Sequence, residues 1–465
     1  MLGAVAKEAA ERFGDHIAYV SPDGTSTSYR ELDRLADSVA NGLLAGGVRE
    51  GDVVALALPQ SVEHLVTYIG ASRIGAITTG VNSRLSEPEQ QAVLARAVPK
   101  LVVHTLAEAR RLAVSAPAPA PLEPDPARPV AIVFTSGTTG TPKGAVFGER
   151  QLAFITAVDT NDKWGGGGAT MASTSFAHLG PMTKLPGVLM RGGTTFILDR
   201  WRAADALALI AAHRMAGIGG IPTQVALMLQ HPAFASTDVS CVRAIVLGGG
   251  PATPALVREA RARFRAAVAI RYSCTEAGIG IGTAFDAPDE DAEVSVGRPH
   301  AGVDLRLFDA HDGVGEVGLR SPAVMTGYWR DAAGTATVVT DRFVRTGDLG
   351  WVDDLGRLRL VGRSKEMYVR GGYNVYPMEV EAVLAQQPSV ADVAIVARPD
   401  DVMGEVGIAF VVAREGAEPP SLASLRDFGA SRLADYKLPD ELRMVDALPL
   451  TPMDKLDRRA LRNLL

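Results

Sequence analysis

The densest chemistry in this sequence lies in ten consecutive residues, Thr135-Ser136-Gly137-Thr138-Thr139-Gly140-Thr141-Pro142-Lys143-Gly144. Three glycines, several hydroxyls and one lysine in a single loop suit the holding of an anion. Gly137, Gly140 and Gly144 let the backbone approach a ligand closely and take φ > 0 without a Cβ penalty. Their N–H groups, the hydroxyls of Thr135, Ser136, Thr138, Thr139 and Thr141, and the Lys143 ammonium can converge on phosphate oxygens. The pattern differs from the P-loop G-x-x-x-x-G-K-[ST], because the lysine follows a proline and precedes a glycine. A plain hydroxyl-rich surface loop is the competing reading, and this combination of residue types speaks against it.

Such a loop needs rigid elements on either side. The apolar run Val130-Ala131-Ile132-Val133-Phe134 reads as a buried strand leading into it. Upstream, Tyr29 opens a helix running to about Ala45, with Leu32, Leu35, Ala36, Val39 and Leu43 on one face. Val53–Leu58 reads as a buried strand and a second helix starts near Val62, which predicts α/β layering. The segment 113–129 is Pro/Ala-rich and reads as an irregular surface linker, and 165–168 as a Gly-rich flexible loop. Arg345-Thr346-Gly347-Asp348-Leu349-Gly350 leads into a strand–turn–strand over Trp351–Val361, turning at Asp353–Gly356. Beyond it, elements at Met378–Gln386, Val390–Ala397, Gly407–Ala413 and Leu422–Ala434 predict a small α+β domain. The expected organisation is a large domain over 1–362, a junction at 363–365 and a small domain over 366–465.

The 465 residues are 47% hydrophobic and 22% charged, a globular balance. A net charge of −6 gives no reason to expect nucleic acid as a partner. Two cysteines, Cys241 and Cys274, exclude a disulfide framework and a Cys-rich zinc site, and fit a reducing cytoplasm. The start lacks the apolar core of a signal peptide, and no apolar run approaches the ~18 residues of a membrane span.

The Thr135–Gly144 loop resembles the phosphate loop of the adenylate-forming superfamily, which includes acyl-CoA synthetases, aryl-acid ligases and peptide-synthetase adenylation domains. Further segments resemble that family in order along nearly the whole chain. Tyr272-Ser273-Cys274-Thr275-Glu276 is similar to its Tyr-Gly-x-Thr-Glu segment, with Ser273 where glycine is usual. The resemblance implies that Tyr272 packs on adenine, Thr275 contacts the α-phosphate, and Glu276, with Thr139, binds Mg²⁺. Asp348 then accepts the ribose hydroxyls, as a carboxylate can take two O–H donors at once, and Arg363 adds a ribose or phosphate contact. Gly248-Gly249-Gly250-Pro251 is similar to the segment that passes over adenine and the acyl group. His178, in Phe176-Ala177-His178-Leu179, matches the pocket histidine beside the incoming carboxylate. Lys184, six residues on, either meets a polar group of the substrate or reaches toward solvent, and the second reading is preferred.

The small domain carries the rest of the resemblance. Lys365 matches a hinge position. Gly371-Gly372-Tyr373-Asn374-Val375-Tyr376-Pro377 is similar to the segment whose glycines leave a tunnel for a pantetheine arm, and Tyr436-Lys437-Leu438-Pro439 matches another lid segment. Leu448–Arg458 is similar to the Pro-x-Thr-x-x-Gly-Lys loop, with Asp454 in place of the glycine, which makes Lys455 the implied catalytic lysine. The implied fold is α/β, of the α+β multidomain kind: a large adenylate-forming domain with a small mobile lid. The implied reaction uses ATP and Mg²⁺ to convert a small carboxylic acid to acyl-AMP, releasing pyrophosphate, and passes the acyl group to coenzyme A. Three alternatives stay open: transfer to a carrier-protein phosphopantetheine, transfer to an amine, and a non-catalytic nucleotide-binding role.

Overall fold

The structure, a computed structural model, describes residues 1–135, 141–451 and 455–465. Two five-stranded sheets form the scaffold of the large N-terminal part. In the first, Leu101–Val103, Val53–Leu56, Ile77–Gly80 and Pro129–Thr135 run parallel, and Lys143–Gly148 closes the edge antiparallel. In the second, Gly217–Gly220, Ala244–Gly248 and Ala267–Tyr272 run parallel, followed by the short antiparallel strands Ile281–Gly282 and Arg298–Pro299. Buried parallel strands read as unbroken apolar runs, and Val53–Leu56 is buried at every position.

The expected helix over Tyr29–Ala45 is present, and Ser28 caps it by accepting from the Glu31 N–H. Its face buries Leu32, Ala36, Val39 and Leu43, with Leu35 half-buried beside them. The next helix spans Val62–Arg73. The strand read over Val53–Leu58 stops at Leu56: the Ala57 N–H still reaches Val103 O, but Pro59 then offers no N–H. Residues 113–128 form no helix or strand, as their composition predicts.

Two antiparallel elements extend past their expected limits. Arg345–Gly350, read as an approach segment, lies inside one long strand, Phe343–Val352, which pairs with Leu358–Arg363. Lys143, read as a loop residue, opens the return strand of a hairpin in which Thr135 faces Lys143. The last sheet is drawn wholly from the smaller C-terminal domain: Tyr373–Val375, Tyr368–Arg370, Gly404–Ala413 and Val390–Asp400, with Glu441–Met444 parallel to the third. Leu422–Ala430 packs on it; the helix ends four residues early because the chain turns to seat Leu433 beside Leu425 and Leu438. Among the described residues no helix is long and apolar enough to cross a membrane.

One core residue sets an acid limit on this fold. His64 is 2% exposed on Val62–Arg73, its ring edge-on to Phe176 at 5.6 Å. Among the described residues neither ring nitrogen has a partner, and burial pushes its pKa down to about 4. The unfolded chain therefore binds the extra proton first, so the stability held above the unfolded pKa of about 6.5 is lost as pH falls toward 4. We predict that His64 alone removes about 2 kcal/mol of unfolding free energy between pH 7 and 5. Denaturant titrations at both pH values should show a smaller acid loss for His64→Leu; equal losses would contradict this account.

Candidate active site

The site grows from the ends of two parallel strands, Ala244–Gly248 and Ala267–Tyr272, which stop side by side with Gly248 opposite Arg271. Gly249 leaves the first strand with φ +78 and leads through Gly250 and Pro251 to the helix Pro254–Phe264, capped by Thr253. Tyr272 ends the second strand, and Ser273 and Cys274 connect it to a single 3₁₀ turn over Thr275–Ala277.

A carboxylate is buried beside Tyr272. The Phe343–Val352/Leu358–Arg363 hairpin sets Asp348 directly across from Arg363, and Arg363 Nε donates to Asp348 Oδ1 at 3.0 Å. The Tyr272 hydroxyl donates to Oδ2 at 2.7 Å and lies 3.2 Å from Thr346 Oγ1. Asp348 is only 8% exposed. Burial raises its pKa, while Arg363 and the Tyr272 hydrogen bond oppose the rise. Burial, and then Asp348 itself, pushes the Tyr272 phenol well above its usual range, so it stays a donor.

A second chain of contacts joins Glu276 to the loop lysine. The Tyr328 hydroxyl donates to Glu276 Oε1 at 2.7 Å, and the Lys143 ammonium sits 5.0 Å from the centre of the same ring. Backbone bonds fix this pairing: Met325 N to Glu276 O, Trp329 N to Gly144 O, and Val146 N to Gly327 O. Burial, then Glu276, drives the Tyr328 phenol pKa strongly up.

His178 precedes the helix Leu179–Arg191, and its Nε2 is 3.3 Å from Asn82 Nδ2. The strand Ile77–Gly80 comes so near that a Cβ at Gly80 would lie 2.5 Å from Ala177 Cα, which only glycine avoids. Burial, then the charges of Lys455 and Arg84, lowers the His178 pKa to about 4, so the ring is neutral at pH 7. A cavity of about 430 Å³ opens beside it, lined in part by Gln60, Asn82, Ser173, Thr174, Trp201 and Gln224.

Lys455 reaches this centre from the far end of the chain. Its loop is closed by Asp457 N to Pro449 O at 2.8 Å and Thr451 N to Lys455 O at 2.7 Å. Arg458 anchors the base, donating from both terminal nitrogens to Glu381 at 2.6 and 2.8 Å and pairing with Glu366. Lys455 keeps contact with water, yet protein around it lowers its pKa, with Arg363 acting the same way and Asp348 against. Its ammonium is therefore felt by Asp348, Arg363 and His178 together.

Other anticipated residues lie apart. Gly371 and Gly372 form an exposed turn between Tyr368–Arg370 and Tyr373–Val375, where the Gly371 N–H donates to Met403 O. Lys365 is exposed in the short link between Leu358–Arg363 and that hairpin. Lys184 pairs with Asp159 at 3.3 Å. Ser136, Gly137, Thr138, Thr139, Gly140 and Asp454 lie outside the described residues. Sequence reasoning missed Tyr328, Thr346 and Asn82. Tyr328 had one signal, an aromatic pair with Trp329 directly after Gly327 and outside any helical or strand period; the other two had none.

Family models match along the chain: AMP-binding enzyme over residues 6–329, and AMP-binding enzyme C-terminal domain over 379–455. A feruloyl-CoA synthase from Amycolatopsis sp is 33% identical over 474 residues, covering 96% of this chain and 95% of the relative. ATP-bound MatB from Rhodopseudomonas palustris superposes with a TM-score of 0.90 at 28% identity, covering 100% of this chain and 99% of that one. The amide bond synthetase McbA from Marinactinospora thermotolerans gives 0.88 at 27% identity, with both chains covered 100%. With both models matched and a relative of this identity aligned over nearly its whole length, the chain belongs to the adenylate-forming, AMP-binding enzyme family as an acid–thiol ligase of the acyl-CoA synthetase type.

Proposed function

We propose that the enzyme joins an organic carboxylate to AMP, releases pyrophosphate, and then transfers the acyl group to coenzyme A. The observation that carries this reading is the buried Asp348 carboxylate, held by the Tyr272 hydroxyl at 2.7 Å and Arg363 Nε at 3.0 Å, with the Lys455 charge acting on it. The carboxylate attacks the α-phosphorus of ATP, and the bond to the pyrophosphate oxygen breaks. Negative charge then builds on the oxygens between Lys455 and Lys143, where fixed cations lower the barrier. Asp348 orients the ribose through its two oxygens, with Arg363 and Tyr272 holding it in place. Neutral His178 sits beside the attacking carboxylate without adding a competing charge.

Mg²⁺ fits this donor set. Such an ion is held through one or two carboxylates plus the substrate's phosphates, and Glu276, fixed through Tyr328, supplies one oxygen ligand, with Thr139 as its companion. When bound, the ion neutralises charge on the leaving pyrophosphate.

In the second half-reaction, residues 366–465 act as a lid that turns about a hinge at 363–365 beneath the domain 1–362. The turn withdraws Lys455 and brings in Gly371 and Gly372, whose positive φ values of 57 and 86 support a loop without side-chain bulk. The cavity beside His178 is lined by amides and hydroxyls together with Arg84, Asp199 and Arg200, and the amides and hydroxyls suit the amides of a pantetheine arm. Likeness to an amide bond synthetase supports a second reading, in which an amine takes the acyl group.

Pyrophosphate release across a panel of acids, with and without coenzyme A, tests the reading: acid-dependent release with a thioester product is expected, and release indifferent to coenzyme A would favour the amine. Lys455→Ala should slow adenylation by at least ~10²-fold, with a smaller effect on thioester formation from supplied acyl-AMP; equal losses in both steps would contradict the rotating lid. Tyr328→Phe, which removes a hydrogen bond to a carboxylate, should cost about tenfold in adenylation rate and raise the Mg²⁺ concentration for half-maximal rate. An unchanged Mg²⁺ dependence would separate Glu276 from the metal.

A further inference from the structure

Four titratable side chains gather beside the middle of the His178 helix: Lys184 and Asp159 as an ion pair, and Arg271 and His300 over Gly282. Lys184 follows His178 by six residues on Leu179–Arg191, about 9 Å along the axis at ~1.5 Å per residue. Its ammonium lies 3.3 Å from Asp159 Oδ1, at the end of Glu149–Thr160. From the opposite side come Arg271, the residue before Tyr272, and His300, the residue after Arg298–Pro299. They crowd over Gly282, where a Cβ would lie 2.8 Å from Arg271 Nη1 and 3.1 Å from His300 Nε2. The bare glycine leaves both groups this space.

The guanidinium of Arg271 covers the Phe285 ring at 5.6 Å and donates to Ile270 O at 2.9 Å and Thr283 O at 2.6 Å. Burial, then the charges of Arg271 and Lys184, lowers the His300 pKa, with Asp159 acting in the opposite sense. The cluster thus brings together a lysine, an arginine, one aspartate and a histidine, all partly buried. Its excess positive charge, removed in part from water, calls for an anion. There is room for a ligand on the way to it: Gly180, one turn before Lys184 on the same helix face, has nothing within 4 Å of where a Cβ would stand.

We infer that Lys184, Arg271 and His300 form a distal subsite of the acid pocket that takes a second carboxylate. This rests on the acid-activating reading above, and narrows the substrate to a dicarboxylic acid whose carboxyl groups are separated by an aromatic ring or a chain of similar length. One carboxylate reacts beside His178 while the other meets Lys184 and Arg271. Asp159 steadies Lys184 and, as the cluster's one anion, limits how strongly the second carboxylate is held.

Matched acids test this: terephthalate against 4-methylbenzoate, and suberate against octanoate, each assayed for pyrophosphate release. The diacid of each pair should be favoured about tenfold or more in kcat/KM, the scale of one charge-assisted contact. Lys184→Met should bring that ratio close to one, and Asp159→Asn should raise it. A preference for the uncharged partners, or an unaltered ratio in Lys184→Met, would overturn the subsite while leaving acid activation intact. If no acid released pyrophosphate, the activation reading would fail, and calorimetric titration of terephthalate into the ATP-free protein would still decide the subsite. Weaker binding by Lys184→Met would sustain it; equal binding, or none to either protein, would overturn it.

Discussion

Burying the Asp348 carboxylate is costly unless donors and cations surround it, and much of the structure is arranged to supply them. Tyr272 comes from the end of the second sheet, Arg363 from across a hairpin, and Lys455 from the C-terminal loop. Two distant stretches of chain are thereby hydrogen-bonded to one pair of oxygens, and a third brings a charge that acts on them. Arg458, held by Glu381 and Glu366, fixes the base of the lysine loop to its own domain. Any change in the relation between the two domains must therefore move Lys455 relative to Asp348, which gives the site a built-in sensitivity to domain position.

The same low-dielectric setting sorts the neighbouring groups by charge. The phenols of Tyr272 and Tyr328 stay protonated and donate to carboxylates, while His178 stays neutral beside two cations. In the proposed reaction, Lys143 and Lys455 are the groups that answer charge developing on the phosphate oxygens. The Lys184–Asp159–Arg271–His300 cluster repeats this logic midway along the helix that follows His178, with cations in excess.

Much of the framework was legible in the sequence because its signals are local. The apolar period of Tyr29–Ala45 and the run Val130–Phe134 each reflect a buried face that a short window reveals. The misjudged limits came from non-local causes. Leu422–Ala430 ends where Leu433 must enter the core of its domain, and Phe343–Val352 extends because it pairs on both sides. Lys143 opens a strand because its partner Thr135 faces it across a hairpin.

By itself the sequence determined which chemical groups are present, their order along the chain, and the family to which that order belongs, because backbone loops and spacing are encoded locally. Tertiary structure alone decided which of those groups share a site. Asp348 meets Tyr272, Tyr328 joins Glu276 to Lys143, and the charge of Lys455, from the end of the chain, acts on Asp348. The charge states of His178 and His300 were likewise decided there. Each depends on burial and on cations distant in sequence, and both arise only when the sheets, the hairpin and the C-terminal loop pack together.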